Sequence, residues 1–202
     1  MTATQANRQR NSRGRGDQLR VDLLDAAADL LAEHGSVDGV SLRAVARRAG
    51  VSATAVYRHF EDHNQLFKEA VRYCWSNFLG VLEEAAAAGP DAFAAFQASG
   101  AAYASFALEH PGQYRVMFSN HIEIEEETQV VANATFQILV DQVTAMLSNL
   151  DDDRHPLTVA VQVHTWIHGI VDLHGSRPDV EWPMISEQLL GLSSALGLER
   201  PA

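Results

Sequence analysis

Apolar residues recur along this chain at steps of three and four, the period of a single helix face. Between Asp17 and His34 the stripe is Leu23, Ala26, Ala27, Leu30 and Leu31, and Gly35 stops it as a C-terminal cap. From Ser41 to Phe60 the sequence SLRAVARRAGVSATAVYRHF carries the apolar set Leu42, Val45, Ala46, Ala49, Val51 and Val56. The first four keep the helical step. Gly50 breaks it where a chain reversal needs a residue that tolerates positive φ, and Ser52 follows as an N-cap. Ser41 is a cap of the same kind for the preceding helix, and Ala46 is small enough to let a second helix cross the first closely. The pattern predicts two short helices joined by a tight turn. This is the spacing of a helix-turn-helix, whose second helix enters the major groove of DNA.

The helical period continues to the end of the chain. Asp62 and Gln65 have capping-box spacing, and a long helix is expected from His63 to about Ala88, ended by Gly89-Pro90, with Pro90 able to begin the next helix. Further helices are expected over 91–109, briefly after His110-Pro111, over 128–150, 156–174 and 183–196. Acid-rich connections separate them at 119–127 and 151–153, and no internal repeat is present. The fold class is therefore all-α.

Charge sharpens this division. The chain of 202 residues has a net charge of −11. Residues 1–72 hold 11 Lys+Arg against 9 Asp+Glu, whereas residues 73–202 hold 4 against 17. Within 41–60 stand Arg43, Arg47, Arg48 and Arg58 with no acid. A basic head on an acidic body favours phosphate in one orientation, so the acidic total does not argue against nucleic acid. Residues 1–16 are poor in apolar groups and hold Arg8, Arg10, Arg13 and Arg15. They read as a flexible basic arm, either following the phosphate backbone or merely unstructured. No apolar run suits a membrane span, the N-terminus lacks the apolar block of a signal peptide, and one cysteine, Cys74, excludes an intrachain disulfide framework. A soluble cytoplasmic protein is expected, with no membrane partner.

Residues from about 19 to 67 resemble the N-terminal domain of the TetR family of bacterial transcriptional regulators. The resemblance is carried by the Leu-Leu-Asp-Ala-Ala helix ending at Gly35, by Ser41-Leu-Arg-Ala-Val-Ala, by Ala49-Gly50-Val51-Ser52, by Tyr57-Arg-His-Phe60 and by Leu66. The Trp166-Ile167-His168-Gly169 sequence and the His110-Pro111-Gly112 segment are similar to the WHG-type regulatory domain of one subgroup. The resemblance implies a three-helix DNA-binding domain with a helix-turn-helix, and a larger C-terminal helical domain that binds an effector and dimerises. The expected boundaries are an arm at 1–16, a DNA-binding domain at 17–65 and an effector and dimerisation domain at 66–202. The implied protein is a homodimeric repressor on a palindromic operator, released by a small apolar or amphipathic molecule. Regulation as an activator is the variant.

The expected DNA contacts are Arg43, Arg47, Ser52, Thr54, Ala55, Tyr57, Arg58, His59 and His63. Arg58 binds guanine bidentately and the methyl groups of Thr54 or Ala55 meet thymine. Tyr57 and His59 hold phosphates by the family's pattern. His63 stands where the family often has a phosphate-holding lysine. Aromatic residues at helical spacing suggest an effector pocket: Trp75, Phe78, Phe96 and Tyr103, then Phe106, Met117, Phe118 and Trp166. The same spacing also suits a plain core. The last two helices resemble the family's four-helix dimer interface, with His168, Gly169, Leu189 and Leu192 as its candidates. His164 and His168, one turn apart with Asp172 a turn further and with His174 and His121 nearby, offer a metal-responsive alternative. Cys74 lies in an apolar pattern and reads as an inert buried thiol. No nucleophile elbow, phosphate loop or dinucleotide fingerprint is present, so neither an enzyme nor a cofactor is expected.

Overall fold

The computed structural model describes residues 13–34, 37, 39–118 and 124–200. Among them are nine α-helices and no strand. They are α1 (Arg13–His34), α2 (Leu42–Arg48), α3 (Ala53–Val56), α4 (His63–Ala88), α5 (Ala92–Glu109), α6 (Pro111–Met117), α7 (Glu126–Asn149), α8 (Pro156–Ser176) and α9 (Ile185–Ala195). The chain divides into two compact units, Met1–Ala70 and Val71–Ala202, and α4 runs through the division.

In the first unit the periodic positions become the core. Leu23, Ala27 and Leu31 of α1, Val45 and Ala46 of α2, Val56 of α3, and Phe60, Leu66 and Phe67 beyond it are all buried. The caps form where the sequence placed them. The Ser41 hydroxyl accepts from the Ala44 amide at 3.2 Å, and the Ser52 hydroxyl from the Ala55 amide at 3.3 Å. Gly50 has φ of +69°, which only glycine adopts without strain, and it reverses the chain between α2 and α3. At α4 the Gln65 amide donates to Asp62 Oδ1 at 2.8 Å, and the Gln65 side chain accepts from the Glu61 amide at 2.6 Å. The capping box thus closes one residue earlier than its usual form.

Two boundaries differ from expectation. Helix α1 begins at Arg13, so its first turn occupies positions read as part of the arm; residues 1–12, with Arg8 and Arg10, lie outside the described residues. Gly35 also lies outside them. The second helix of the motif is only four residues long as an α-helix. Tyr57 to Phe60 continue it as a tighter turn, with Arg58 N donating to Ala55 O at 3.3 Å and His59 N to Val56 O at 2.9 Å. The Phe60 amide then donates to the Val56 carbonyl at 3.0 Å, four residues back, and Phe60 is buried with Val56 in the core.

The second unit packs Phe93 and Phe96 of α5, Val143, Met146 and Leu147 of α7, Val159, Ala160 and Val163 of α8, and Leu192 of α9 into one apolar cluster. Asp91 rather than Pro90 starts α5, accepting from the Ala94 amide at 2.9 Å. The chain before it must be glycine, because a Cβ on Gly89 would lie 2.3 Å from the Ala95 backbone nitrogen. Pro111 opens α6, where its missing N–H costs nothing. Helix α7 starts two residues earlier than expected, with Glu126 and Glu127 in its first turn, where carboxylates complement the helix dipole. By length and composition alone α7 is apolar enough to cross a membrane. Thr128, Gln142, Val143, Met146 and Leu147 on it are buried, but only 28% of its apolar stretch is.

Candidate nucleic-acid interface and helical-domain cavity

The turn at Gly50 leaves one face of α2 and α3 turned to solvent. Arg43 and Arg47 on α2, Ser52 and Thr54 at the start of α3, and Tyr57 and Arg58 after it are exposed, with Tyr57 at 58%. Ala55 and His59 are half-buried. Arg48 is held otherwise. Its guanidinium lies 2.8 Å from both carboxylate oxygens of Glu33 and 3.5 Å from Asp29, which ties α2 to α1. The Arg20 guanidinium pairs with Glu69 and sits 5.0 Å over the Phe60 ring. His63 does not present a free ring. Its Nε2 donates to the Val40 carbonyl at 2.6 Å and its ring lies 4.5 Å from Phe67, so it pins the loop before α2. The position expected to grip phosphate is therefore spent on packing, apart from its second ring nitrogen. The Ser52 Oγ accepts within its own helix, leaving its hydroxyl proton for an outside acceptor.

Within the second unit, α4, α5, α7, α8 and α9 line a half-open cavity of about 260 Å³. Five of the eight expected pocket residues line it: Trp75, Phe78, Phe96, Tyr103 and Phe118. Three do not. Phe106 and Met117 are buried in packing, with Phe106 4.9 Å from the Phe78 ring and 5.0 Å from His110. Trp166 is 49% exposed, because its position on α8 faces away from the unit's interior. The sequence reading missed the contribution of α7, where Gln129, Ala132, Asn133, Phe136 and Leu139 reach the cavity. Their three- and four-residue spacing was legible as one face, and Phe136 was an aromatic signal on it that the reading passed over.

Next to this cavity is a buried polar cluster. Tyr114 Oη lies 2.5 Å from His168 Nδ1 and 2.8 Å from Tyr103 Oη, and Tyr103 Oη is 3.3 Å from the same imidazole nitrogen. Burial pushes the Tyr114 hydroxyl up to about 12, and it pushes that of Tyr103 well above its ordinary range. Burial also holds His164 below its usual pKa, helped by His168. His168 is lowered by burial, with Asp172 opposing. The two imidazoles stack at 5.9 Å. The metal reading finds no support in this arrangement. Among the described residues no three His, Cys, Asp or Glu side chains come together to hold an ion, and His121 lies outside the described residues. The pair instead joins an aromatic wall, with Phe136 5.5 Å from His164 and Phe118 4.7 Å from His168. Cys74 is buried, as its apolar pattern implied.

The residues expected at a dimer interface divide in the same way. Leu189 and Leu192 are buried inside their own chain and line the cavity. His168 is engaged by Tyr114. Gly169 has open space where a Cβ would stand. The apolar groups that α8 and α9 leave exposed are others: Leu157, Val161, Trp166, Leu173 and Leu190. Leu189 meets α5 at Gly100, where a Cβ would lie 3.5 Å from its side chain.

Comparison with known proteins agrees with this architecture. Residues 23–70 match the sequence model described as bacterial regulatory proteins, tetR family, and residues 96–179 match a tetracyclin repressor-like C-terminal domain. The second description names no WHG subtype. The transcriptional repressor KstR2 of Rhodococcus jostii is 33% identical over 79 residues, 39% of this chain and 38% of that protein. The transcriptional activator FasR of Mycolicibacterium smegmatis is 27% identical over 133 residues, 65% of this chain and 60% of that protein. The chain thus spans less than two thirds of either curated relative. A solved structure of a protein of unknown function from Rhodococcus sp. RHA1 is 28% identical, covers 95% of this chain and 96% of its own, and superposes with a TM-score of 0.74. With both halves matched and a helix-turn-helix formed between Ser41 and Phe60, the chain belongs to the TetR family of bacterial regulatory proteins.

Proposed function

We propose that this protein is a DNA-binding transcriptional regulator, a homodimer that represses from a palindromic operator and is released by a small-molecule effector. The observation that carries this reading is the exposed set Arg43, Arg47, Thr54, Tyr57 and Arg58 on a capped helix-turn-helix. Arg58 and Thr54 read base edges, while Arg43, Arg47, Tyr57 and His59 hold phosphates. Ser52 adds its hydroxyl proton to a phosphate, and Ala55 offers a methyl to thymine. The acidic remainder of the chain keeps the other faces off DNA.

On this reading residues 17–65 bind DNA, residues 66–202 bind effector and partner subunit, and the basic N-terminal stretch adds sequence-independent affinity. The dimer forms through the exposed apolar residues of α8 and α9, and the protein works in the cytoplasm beside the chromosome. Effector binds better to a state whose two recognition helices are wrongly spaced for successive major grooves, and DNA is released. Repression is preferred to activation on the family's common mode.

The experiment is a gel shift with the DNA upstream of the protein's own gene across a salt series. A specific complex whose log affinity falls linearly with log salt is expected. Absence of any complex, specific or not, sinks the reading.

A further inference from the structure

We infer that His63 serves DNA binding as a positioning residue: it donates to the Val40 carbonyl, fixes where α2 begins, and thereby aims Arg43 and Arg47 at phosphates. This rests on the DNA-binding reading above, and it departs from the cationic grip on phosphate that the sequence position suggested.

The hydrogen bond carries the argument. His63 Nε2 lies 2.6 Å from the Val40 carbonyl oxygen, across 23 positions of sequence. A carbonyl has no proton to give, so Nε2 carries the N–H. In the uncharged ring the other nitrogen is then an acceptor, which cannot bind a phosphate oxygen. Contact with phosphate therefore requires a second proton on the ring, whereas contact with Val40 does not. The ring is also held in place, half-buried and 4.5 Å from that of Phe67 one turn further along α4.

What the bond fixes is the start of the motif. Val40 is 3% exposed, and its amide donates to the Val37 carbonyl at 3.2 Å. Ser41 follows directly as the cap of α2. Its hydroxyl accepts from the Ala44 amide and its carbonyl from the Val45 amide at 3.1 Å. The peptide joining Val40 to Ser41 thus sets the direction in which α2 leaves, and with it the placing of the exposed Arg43 and Arg47. The exit of the motif has its own hold. Phe60 is buried, and the Arg20 guanidinium over its ring pairs with Glu69 of α4. The first two turns of α4 hold both ends of the helix-turn-helix, His63 at the entry and Glu69, through Arg20, at the exit. Losing the His63 donor lowers the fraction of folded molecules with α2 correctly placed, and apparent DNA affinity falls by that fraction.

Two variants separate the donor from the ring and its charge. His63→Gln keeps an N–H at the reach of Nε2 and cannot be charged; His63→Phe keeps a ring beside Phe67 and has no donor. Binding of the full chain to the DNA upstream of its own gene is measured by fluorescence anisotropy, at a temperature where circular dichroism shows all three proteins folded. The salt series is run at about pH 6, where an imidazole on phosphate holds its second proton. His63→Gln is expected to bind within about twofold of the wild type and with the same salt slope, and His63→Phe about three- to tenfold more weakly, the range of one net hydrogen bond. A His63→Gln complex as weak as that of His63→Phe, or with a salt slope smaller by about one, assigns the residue to phosphate and overturns the inference. A His63→Phe complex as tight as the wild type's overturns it too. In case His63→Phe does not fold, the Nε2–H resonance of wild-type His63 is followed by NMR. It should exchange slowly with water in both free and DNA-bound protein, and its loss on binding DNA overturns the inference. Failure of the wild type to bind any DNA overturns the DNA-binding reading and the inference with it; the other adverse outcomes overturn the inference alone.

Discussion

The guanidinium of Arg48 lies 2.8 Å from each carboxylate oxygen of Glu33. One of the four arginines in the basic motif is thus consumed in fastening α2 to α1, while Arg47 beside it remains exposed on the face that meets solvent. Sequence neighbours of the same type therefore have different duties. Arg48→Ala is expected to leave the salt dependence of DNA binding unchanged in slope. Arg47→Ala should weaken binding to all sequences alike and reduce the magnitude of the slope by about one, the share of one phosphate contact. Parallel salt titrations of both variants check the assignment, and equal slopes would refute it.

The two serine caps carry comparable loads at the two ends of the turn. Each hydroxyl satisfies one orphan amide, at Ala44 and at Ala55. Ser41→Ala is expected to cost about 1 kcal/mol of stability. Ser52→Ala should cost a similar amount, and in addition should weaken DNA binding through the lost hydroxyl proton. Denaturant unfolding and gel shifts on the same preparations separate the two effects.

Gly89 has a different kind of constraint. Its missing side chain is what lets the chain after α4 pass the start of α5, since a Cβ would meet the Ala95 backbone rather than a flexible side chain. Gly89→Ala is expected to destabilise by about 1–3 kcal/mol, the range for forcing atoms into filled space. Gly80→Ala, where a Cβ meets nothing within 4 Å, is the control and should be neutral or slightly stabilising.

His164 ties stability to pH. Burial first, and His168 second, hold its pKa below the usual value. Between that depressed value and about 6.5 the unfolded chain binds more protons at this position than the folded chain does. The stability of the neutral imidazole is therefore complete above about 6.5 and is lost as the pH falls through the window. His164→Gln should show a shallower loss of melting temperature on acidification than the wild type does. A parallel fall in both proteins would contradict the role given to this ring.

The exposed apolar face of α8 and α9 predicts oligomeric behaviour. Val161→Glu and Leu190→Glu, both at exposed positions, are expected to give folded monomers by sedimentation. Leu192→Glu places a charge in the buried cluster instead and should unfold the unit.

Helix periodicity and local caps were legible along the whole chain, because both are set by residues within a few positions of one another. Ser41, Gly50, Ser52 and Asp62 are local devices of this kind, and the limits of α4 follow from Asp62 and from Gly89; the cap at Asp91 was not read. The charge division between the motif and the rest of the chain was legible for the same reason. What the sequence left open were choices among equivalent residues on different faces. Trp75 lines the cavity while Trp166, an equally large aromatic, is exposed; Leu189 is buried while Leu190 is not. His63 looked like a substitute for a phosphate-binding lysine until the Val40 carbonyl, 23 positions earlier, proved to be its partner. The sequence determined that this chain is helical, where its helices turn, and that it carries a basic helix-turn-helix. Tertiary packing alone decided which arginine is spent on Glu33 and which α7 residues complete the cavity. Those outcomes depend on contacts between positions far apart in sequence, which residue type and spacing do not encode.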